Sequence, residues 1–325
     1  MSKILCLGEL LVDFVPTENG FKLQDVDQFK KMAGGAPANV SAAIATLGGR
    51  SSMIGKIGAD PFGDFLVETL RDKGVEVECL IQTKEAKTAL AFVSLQNNGE
   101  RDFMFYREPS ADMLLEQKDL KAEWFEEAEV YHFGSISLID HPVREATMEG
   151  IKLATEHNMV ISFDPNIRLS LWKSEEDARE QILQSIPAAH MVKISEEELS
   201  FLTGINEEQE AVSTLMSGLV QLIIVTKGKE GCSYYTKGSS GSVKGITVKP
   251  IDATGAGDAF VGGFLYQVSQ EINQIDDLHE LLNDQKKLEE ILAFANVCGA
   301  LTTTKRGAIS ALPTLDEVQS YFIKE

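Results

Sequence analysis

Paired cysteine is missing from this chain of 325 residues. Its four cysteines, Cys6, Cys79, Cys232 and Cys298, stand singly, and none makes a ligand spacing with another cysteine or with the five histidines. That argues against structural zinc and against a disulfide framework, leaving four reduced, mostly buried thiols as the expectation. Positive charge is also scarce, with 30 Lys and Arg against 50 Asp and Glu and a formal net charge of −20. A long anionic polymer would meet a repulsive field, so no nucleic-acid partner is expected. No apolar run approaches the ~18 residues of a membrane span. The start, Met1-Ser2-Lys3 before a short apolar run, lacks a cleavage-type signal, so a cytoplasmic protein without membrane contact is expected.

Two phosphate-binding motifs are absent as well. Gly49 to Gly55-Lys56 has one residue too many for a Gly-x4-Gly-Lys loop, and Ile57 offers no hydroxyl to a metal. Gly255-x-Gly257 followed by Phe260 fails the dinucleotide fingerprint and comes late in the chain, which argues against a dehydrogenase.

What is present is ordinary globular material, 43% hydrophobic and 25% charged. Short β-branched runs alternate with segments of helical period: Lys3–Gly8, Ser51–Ile57, Glu129–Phe133, Met159–Phe163, Met191–Ile194 and Leu222–Thr226 read as strands. That alternation implies an α/β fold with a mostly parallel sheet covered on both faces. Thr88–Gln96 and Arg101–Tyr106 break the rhythm and read as a hairpin turning at Asn97-Asn98-Gly99-Glu100. With Val12–Phe29, also extended in pattern, the hairpin would form a small β lid with an apolar face that no helix covers. The expectation is one domain over 1–325, its lid drawn from about 11–32 and 87–110, with a homodimer through that lid.

The most informative stretch is Ile251-Asp252-Ala253-Thr254-Gly255-Ala256-Gly257-Asp258, running into the apolar, helix-like Ala259–Leu265. Two glycines allow close backbone approach, and the first-turn amides of a helix are unpaired donors at its positive end. A resting phosphate would repel a carboxylate placed there. A base that takes the proton from an attacking hydroxyl, while neighbouring amides stabilise a transferred phosphoryl group, accounts for both features. The alternative is that Asp258 only caps the helix.

A second stretch, Ala33-Gly34-Gly35-Ala36-Pro37-Ala38-Asn39-Val40, pairs glycines with a proline at a likely first helical turn, followed by small residues suited to close packing. Asn39 is its polar exception and could bind hydroxyls or simply lie at the surface. Asp13 follows the first apolar strand, where it could accept from two sugar hydroxyls or serve a turn. Phe105-Tyr106-Arg107 closes the hairpin, and Asp164-Pro165-Asn166-Ile167-Arg168 sits at a strand's carboxyl end, where open α/β sheets place ligands. Arg107 and Arg168 are the local cations suited to an anion.

These residues resemble the ribokinase family of carbohydrate kinases, the phosphofructokinase-B type, over nearly the whole chain from Gly8-Glu9 to Leu312-Pro313. Both family signatures occur in order, Gly34-Gly35-Ala36-Pro37-Ala38-Asn39 and then Asp252–Asp258, with Ala253 in place of a common threonine. Within the family the chain is most similar to fructokinases, in Asp13–Thr17, Phe103–Arg107, Ser110–Leu115 and Ile194–Glu198. The resemblance implies a ribokinase-like three-layer αβα fold with a small lid, and ATP-dependent phosphorylation of fructose to fructose 6-phosphate. It implies Asp258 as the base and the amides of Gly255, Ala256 and Gly257 as the anion hole. Asp13, Gly34, Gly35, Asn39, Phe105, Arg107 and Arg168 would meet the sugar. Lys193, Ser195, Thr226, Lys227, Gly228, Gly231, Asn296 and Gly299 would meet the nucleotide. Glu198 would hold Mg²⁺ through water, Ser195 standing where the family usually has Asn. Asp252, Thr254 and the loop of Lys305 and Gly307 would hold an activating K⁺. Two rivals are a kinase for 2-keto-3-deoxygluconate and a sugar-sensing protein that has lost the chemistry.

Overall fold

The structure is a computed structural model that describes residues 2–18, 20–95 and 101–323. The turn expected at Asn97–Glu100 lies outside the described residues. The strands are β1 (Lys3–Leu7), β2 (Leu11–Pro16), β3 (Phe29–Gly34), β4 (Arg50–Gly58), β5 (Leu80–Thr83), β6 (Ala89–Leu95), β7 (Arg101–Tyr106), β8 (Val130–Gly134), β9 (Val160–Asp164), β10 (Met191–Ser195), β11 (Leu222–Thr226), β12 (Gly231–Thr236) and β13 (Ser240–Lys244). The helices are α1 (Ala36–Thr46), α2 (Pro61–Asp72), α3 (Val143–Glu156), α4 (Glu175–Ser185), α5 (Glu196–Thr203), α6 (Glu208–Leu215), α7 (Ala256–Glu271), α8 (Ile275–Asn283), α9 (Gln285–Thr302) and α10 (Leu315–Ile323).

The main sheet runs β13-β12-β11-β10-β9-β8-β1-β4-β5. It is parallel from β11 through β5, and β12 and β13 add an antiparallel edge. β1 shows why three layers form. All five of its residues are buried, and successive side chains point to opposite faces. Ile4 and Cys6 join a core shared with α1 and α7, while Leu5 and Leu7 join a second core shared with α3, α4 and α5. The chain leaves β1 toward β4 on one side and reaches β8 and β9 on the other, so the strand order reverses between β1 and β8. The carboxyl ends of the strands at such a reversal are where open α/β sheets hold ligands.

A second, four-stranded sheet runs β3-β2-β6-β7. Val12–Phe29 does not contribute one extended run as expected. β2 ends at Pro16 and β3 begins only at Phe29, with a short 3₁₀ turn at Leu23–Asp25 between them. Because β2 pairs with β6 in parallel and each pairs antiparallel with its outer neighbour, the sheet is mixed. Register puts Asp13, Ala91 and Phe105 in one row, and two-residue alternation puts Phe14, Phe92 and Met104 on the other face. The second face is aromatic, with Phe14 and Phe92 stacked at 4.8 Å between ring centroids. It is not wholly uncovered, since Phe62 of α2 meets Phe14 edge-on at 5.8 Å.

Candidate active site

Two helix starts converge beneath the small sheet. α1 follows Gly35, whose φ of 111° lies in the left-handed region, and carries Pro37 in its first turn. α7 follows Gly255, φ 75°, where an added Cβ would come within 2.7 Å of the Ala308 Cβ. Glycine at 255 lets the 252–258 turn lie against the 305–308 loop. Small residues bring the helices together, for Gly262 of α7 lies against Val40 and Ala43 of α1, and Gly299 of α9 packs on Ala256.

This packing places Asp258 between two amides. Asn39 donates from Nδ2 to Asp258 Oδ2 at 2.7 Å, and Asn166 donates from Nδ2 to Asp258 Oδ1 at 3.1 Å. Helix capping is thereby excluded as the role of Asp258, because α7 has Gly255 at its N-cap and no side-chain cap bond. Asp258 is only 7% exposed. Burial raises its pKa above the usual carboxylate range, while the Asn39 bond and the charges of Arg168 and Lys193 pull it back.

Asp13 comes after β1, as expected, and lies within β2, paired with Met32 and Ala91. Burial lifts its carboxyl to about 7 against the field of Arg168, with the Asp258 charge adding to the rise. Gly34 is what lets it sit there, since a Cβ at 34 would overlap Asp13 Oδ2. Phe105 packs against Leu11, Ala89 and Ala91 on the face carrying Asp13. Arg168 is exposed, donates from Nη1 to the Ile167 carbonyl at 3.0 Å, and is felt by both Asp13 and Asp258. Arg107 differs. It is 5% exposed, and its Nε and Nη2 both reach Asp112 Oδ2 at 2.7 Å, so its charge is met inside the protein.

On the far side of Asp258, Lys193 Nζ lies 3.4 Å from where a Cβ on Gly257 would stand. An ammonium thus stands beside the first turn of α7 at Gly257, where the Ala256 N–H is already engaged by the Ala253 carbonyl at 3.3 Å. Lys193 also pairs with Asp164 at 3.2 Å. Burial works against its charge, but Asp164, Glu198 and Asp258 outweigh burial and raise its pKa. Glu198 accepts from the backbone N–H of Ile167 at 2.7 Å and of Ser195 at 2.9 Å, which fixes its carboxylate. Ser195 Oγ in turn accepts from the Glu198 N–H at 3.2 Å and so caps α5.

Further out, Lys227 pairs with Glu208 at 2.6 Å, and Thr226 ends β11 beside Gly228, φ 53°. Gly231 packs against Val243. Asn296 donates to the carbonyls of Val243 and Lys244 at 3.3 and 3.4 Å, tying α9 to β13. Asp252 accepts from Thr254 Oγ1 at 2.6 Å and from the Gly307 N–H at 2.9 Å, which joins the two loops. The Lys305 side chain turns away to Glu317 at 2.8 Å.

Sequence reasoning missed three participants. Asn166 has no sequence-assigned role, although its position after β9, at a strand's carboxyl end, is a signal. Asp112 gave none as the partner of Arg107. Glu9 holds the Ala36 N–H at 2.7 Å and so anchors α1.

A carboxylate held between amides, beside the positive end of a helix and a lysine, defines a site built for moving a phosphoryl group onto a hydroxyl. The chain belongs to the pfkB family of carbohydrate kinases, whose pattern matches residues 1–315. It is 48% identical over 323 residues, 99% of this chain and 82% of its relative, to probable fructokinase-6, chloroplastic, from Arabidopsis thaliana. Two solved structures share its fold. Fructokinase with bound ATP from Xylella fastidiosa superposes with a TM-score of 0.93 at 37% identity, covering 99% of this chain and 98% of that one. Fructokinase from Vibrio cholerae O395, in a form with fructose, ADP and calcium ion, gives 0.87 at 37% identity and 99% coverage of each. The fold is ribokinase-like.

Proposed function

We propose that this protein transfers the γ-phosphoryl group of ATP to a hydroxyl of fructose, giving fructose 6-phosphate, with Asp258 as general base. The observation that carries this is the Asp258 carboxylate, buried, clamped by Asn39 and Asn166, and set in the first turn of α7, whose N-terminus carries no side-chain cap. A carboxylate whose pKa is raised by burial is a better base than a solvated one, and Asn39, Arg168 and Lys193 offset part of that rise, which favours the ionised form a base needs. Asp13, with Gly34, Gly35, Asn39 and Phe105, orients the sugar so that one hydroxyl meets Asp258. Lys193 and the amides of Gly255, Ala256 and Gly257 receive the charge that grows on the phosphoryl oxygens. Thr226, Lys227, Gly228, Gly231, Asn296 and Gly299 line the way to the nucleotide. The small sheet, carrying Asp13, serves as a lid that excludes water so that the sugar rather than water attacks.

Among the described residues, the cations acting on the four carboxylates Asp13, Asp164, Glu198 and Asp258 are Arg168 and Lys193, so the site has negative charge to offset before a triphosphate joins it. Mg²⁺ fits that excess. Glu198 and Ser195 would hold it through water, because Glu198 is fixed by two backbone donors and keeps a lone pair on each oxygen. Bound there, the ion neutralises phosphate charge. Asp252 and Thr254, with carbonyls of the 305–307 loop, would hold K⁺ and steady the turn before α7.

The four cysteines are unpaired and buried, which suits a reducing cytosol, the location proposed. No helix among the described residues is long and apolar enough to cross a membrane. Met104 and Tyr106, 47% and 54% exposed on the aromatic face of the small sheet, support the reading of a homodimer through that sheet; a monomeric mass in sedimentation would contradict it.

The reading of a 2-keto-3-deoxygluconate kinase is disfavoured, because Asp112 already neutralises Arg107. An ADP-coupled panel tests the choice. Fructose should turn over fastest, and faster turnover of the keto acid would overturn it.

A further inference from the structure

Asn39, from the first glycine-rich signature, holds Asp258 from one side. The structure adds a second amide from the opposite side of the cleft. Asn39 reaches Oδ2 from α1, and Asn166 reaches Oδ1 from the loop after β9. A carboxylate has about two lone-pair sites on each oxygen, so this arrangement takes one per oxygen and leaves the others for a substrate hydroxyl.

The loop bearing Asn166 is built to hold that amide still. Asn166 adopts φ 43°, a left-handed conformation that Asn tolerates better than most residues and that costs of order 1 kcal/mol when not required. Its own N–H donates to Asp164 Oδ1 at 3.2 Å, and Asp164 is tied to Lys193. The next N–H, that of Ile167, donates to Glu198 at 2.7 Å. The loop is thus fastened to β9 and α5, while its side chain reaches across to α7.

We propose that Asn166 is a positioning residue for the reaction: its Nδ2 fixes the rotation of the Asp258 carboxylate and stabilises its ionised form, so that the free lone pairs face the acceptor hydroxyl. This rests on Asp258 being the base. The other charged groups around Asp258 are Arg168 from the same loop, Lys193 in the middle of β10, Glu198 on α5, Asp164 on β9 and Asp13 on β2. Removing the Asn166 amide leaves all of them in place.

The test is Asn166→Gly, because glycine keeps the left-handed backbone and deletes only the amide. Its kcat should fall roughly tenfold to a hundredfold, the loss of one charge-assisted hydrogen bond, with KM for ATP unchanged. The acid limb of kcat/KM for fructose should move up by about one pH unit, since a lost donor raises the pKa of the base. A purely structural role would lower the melting temperature and leave that limb where it was. Asn166→Asp keeps side-chain size, replaces the donor by a second carboxylate, and should move the limb further. Wild-type kcat and an unmoved limb in Asn166→Gly would overturn the proposal. Asp258→Asn separates the two claims: if it is inactive while Asn166→Gly behaves as wild type, the clamp fails and the base stands; if it remains active, the base itself is wrong.

Discussion

Gly34→Ala isolates the contact that shapes the sugar side. A methyl group at 34 would overlap Asp13 Oδ2 and stand 3.0 Å from Asp13 Cγ. The β2 backbone cannot retreat, because Asp13 is paired on both sides, with Met32 and with Ala91. The carboxylate must therefore rotate away. Gly34 is not among the glycines of positive φ, so alanine there adds no backbone strain of its own. If Asp13 accepts from two sugar hydroxyls, each bond to a charged group is worth ~1.5–3 kcal/mol, and a rotated carboxylate that forfeits roughly half of the combined interaction leaves a deficit of about 2–3 kcal/mol. KM for fructose should rise roughly 30- to 150-fold, with KM for ATP nearly constant. Initial rates against fructose at saturating ATP, read by ADP release, measure this. In an Asp13→Ala background the same substitution should add almost nothing, since its target is gone. An unchanged KM for fructose alongside a lowered melting temperature would show that Gly34 serves folding alone.

Asp13→Asn should weaken fructose binding yet stabilise the empty protein. The folded-state carboxyl titrates at about 7 against an ordinary value of 3.8, so ionisation costs stability progressively as pH rises between those values. With allowance for residual solvent contact, the gain at pH 8 should be of order 1–2 kcal/mol and should vanish below pH ~4, where the acid is protonated folded or unfolded. Melting curves at pH 4 and pH 8 test it, and an equal gain at both would contradict the electrostatic cause. Lys193→Met leaves Asp164 buried without its ammonium, which should cost ~3 kcal/mol and most of the turnover. Adding Asp164→Asn should restore the melting temperature and leave turnover low. If the second change recovers neither property, the pair is not what holds this side of the cleft.

The central strands were legible because parallel strands buried on both faces read as continuous apolar runs, as Lys3–Leu7 and Leu222–Thr226 do. The edges were not. Ser240–Lys244 is polar and alternates exposed with half-buried positions, and Leu80–Thr83 is short and half-exposed, so neither resembles a core strand. The Val12–Phe29 reading failed for a related reason, since extended pattern does not mark where β2 stops and β3 starts. In the site, glycine punctuation exposed both helix starts and, with them, Asp258 and Asn39. The bond between those two side chains spans 219 positions, and no spacing rule reaches that far. Local pattern also marked Arg107 as an available cation, and only the three-dimensional arrangement shows that Asp112, five residues on, meets its charge.

Turnover and sugar affinity of Asp258→Asn, measured on the same preparation, bear most directly on the chemistry. With Asp258 as the base, kcat should fall by ~10²–10⁴-fold or more while calorimetry finds fructose binding within a few fold of wild type. A variant that keeps kcat within about threefold would contradict it.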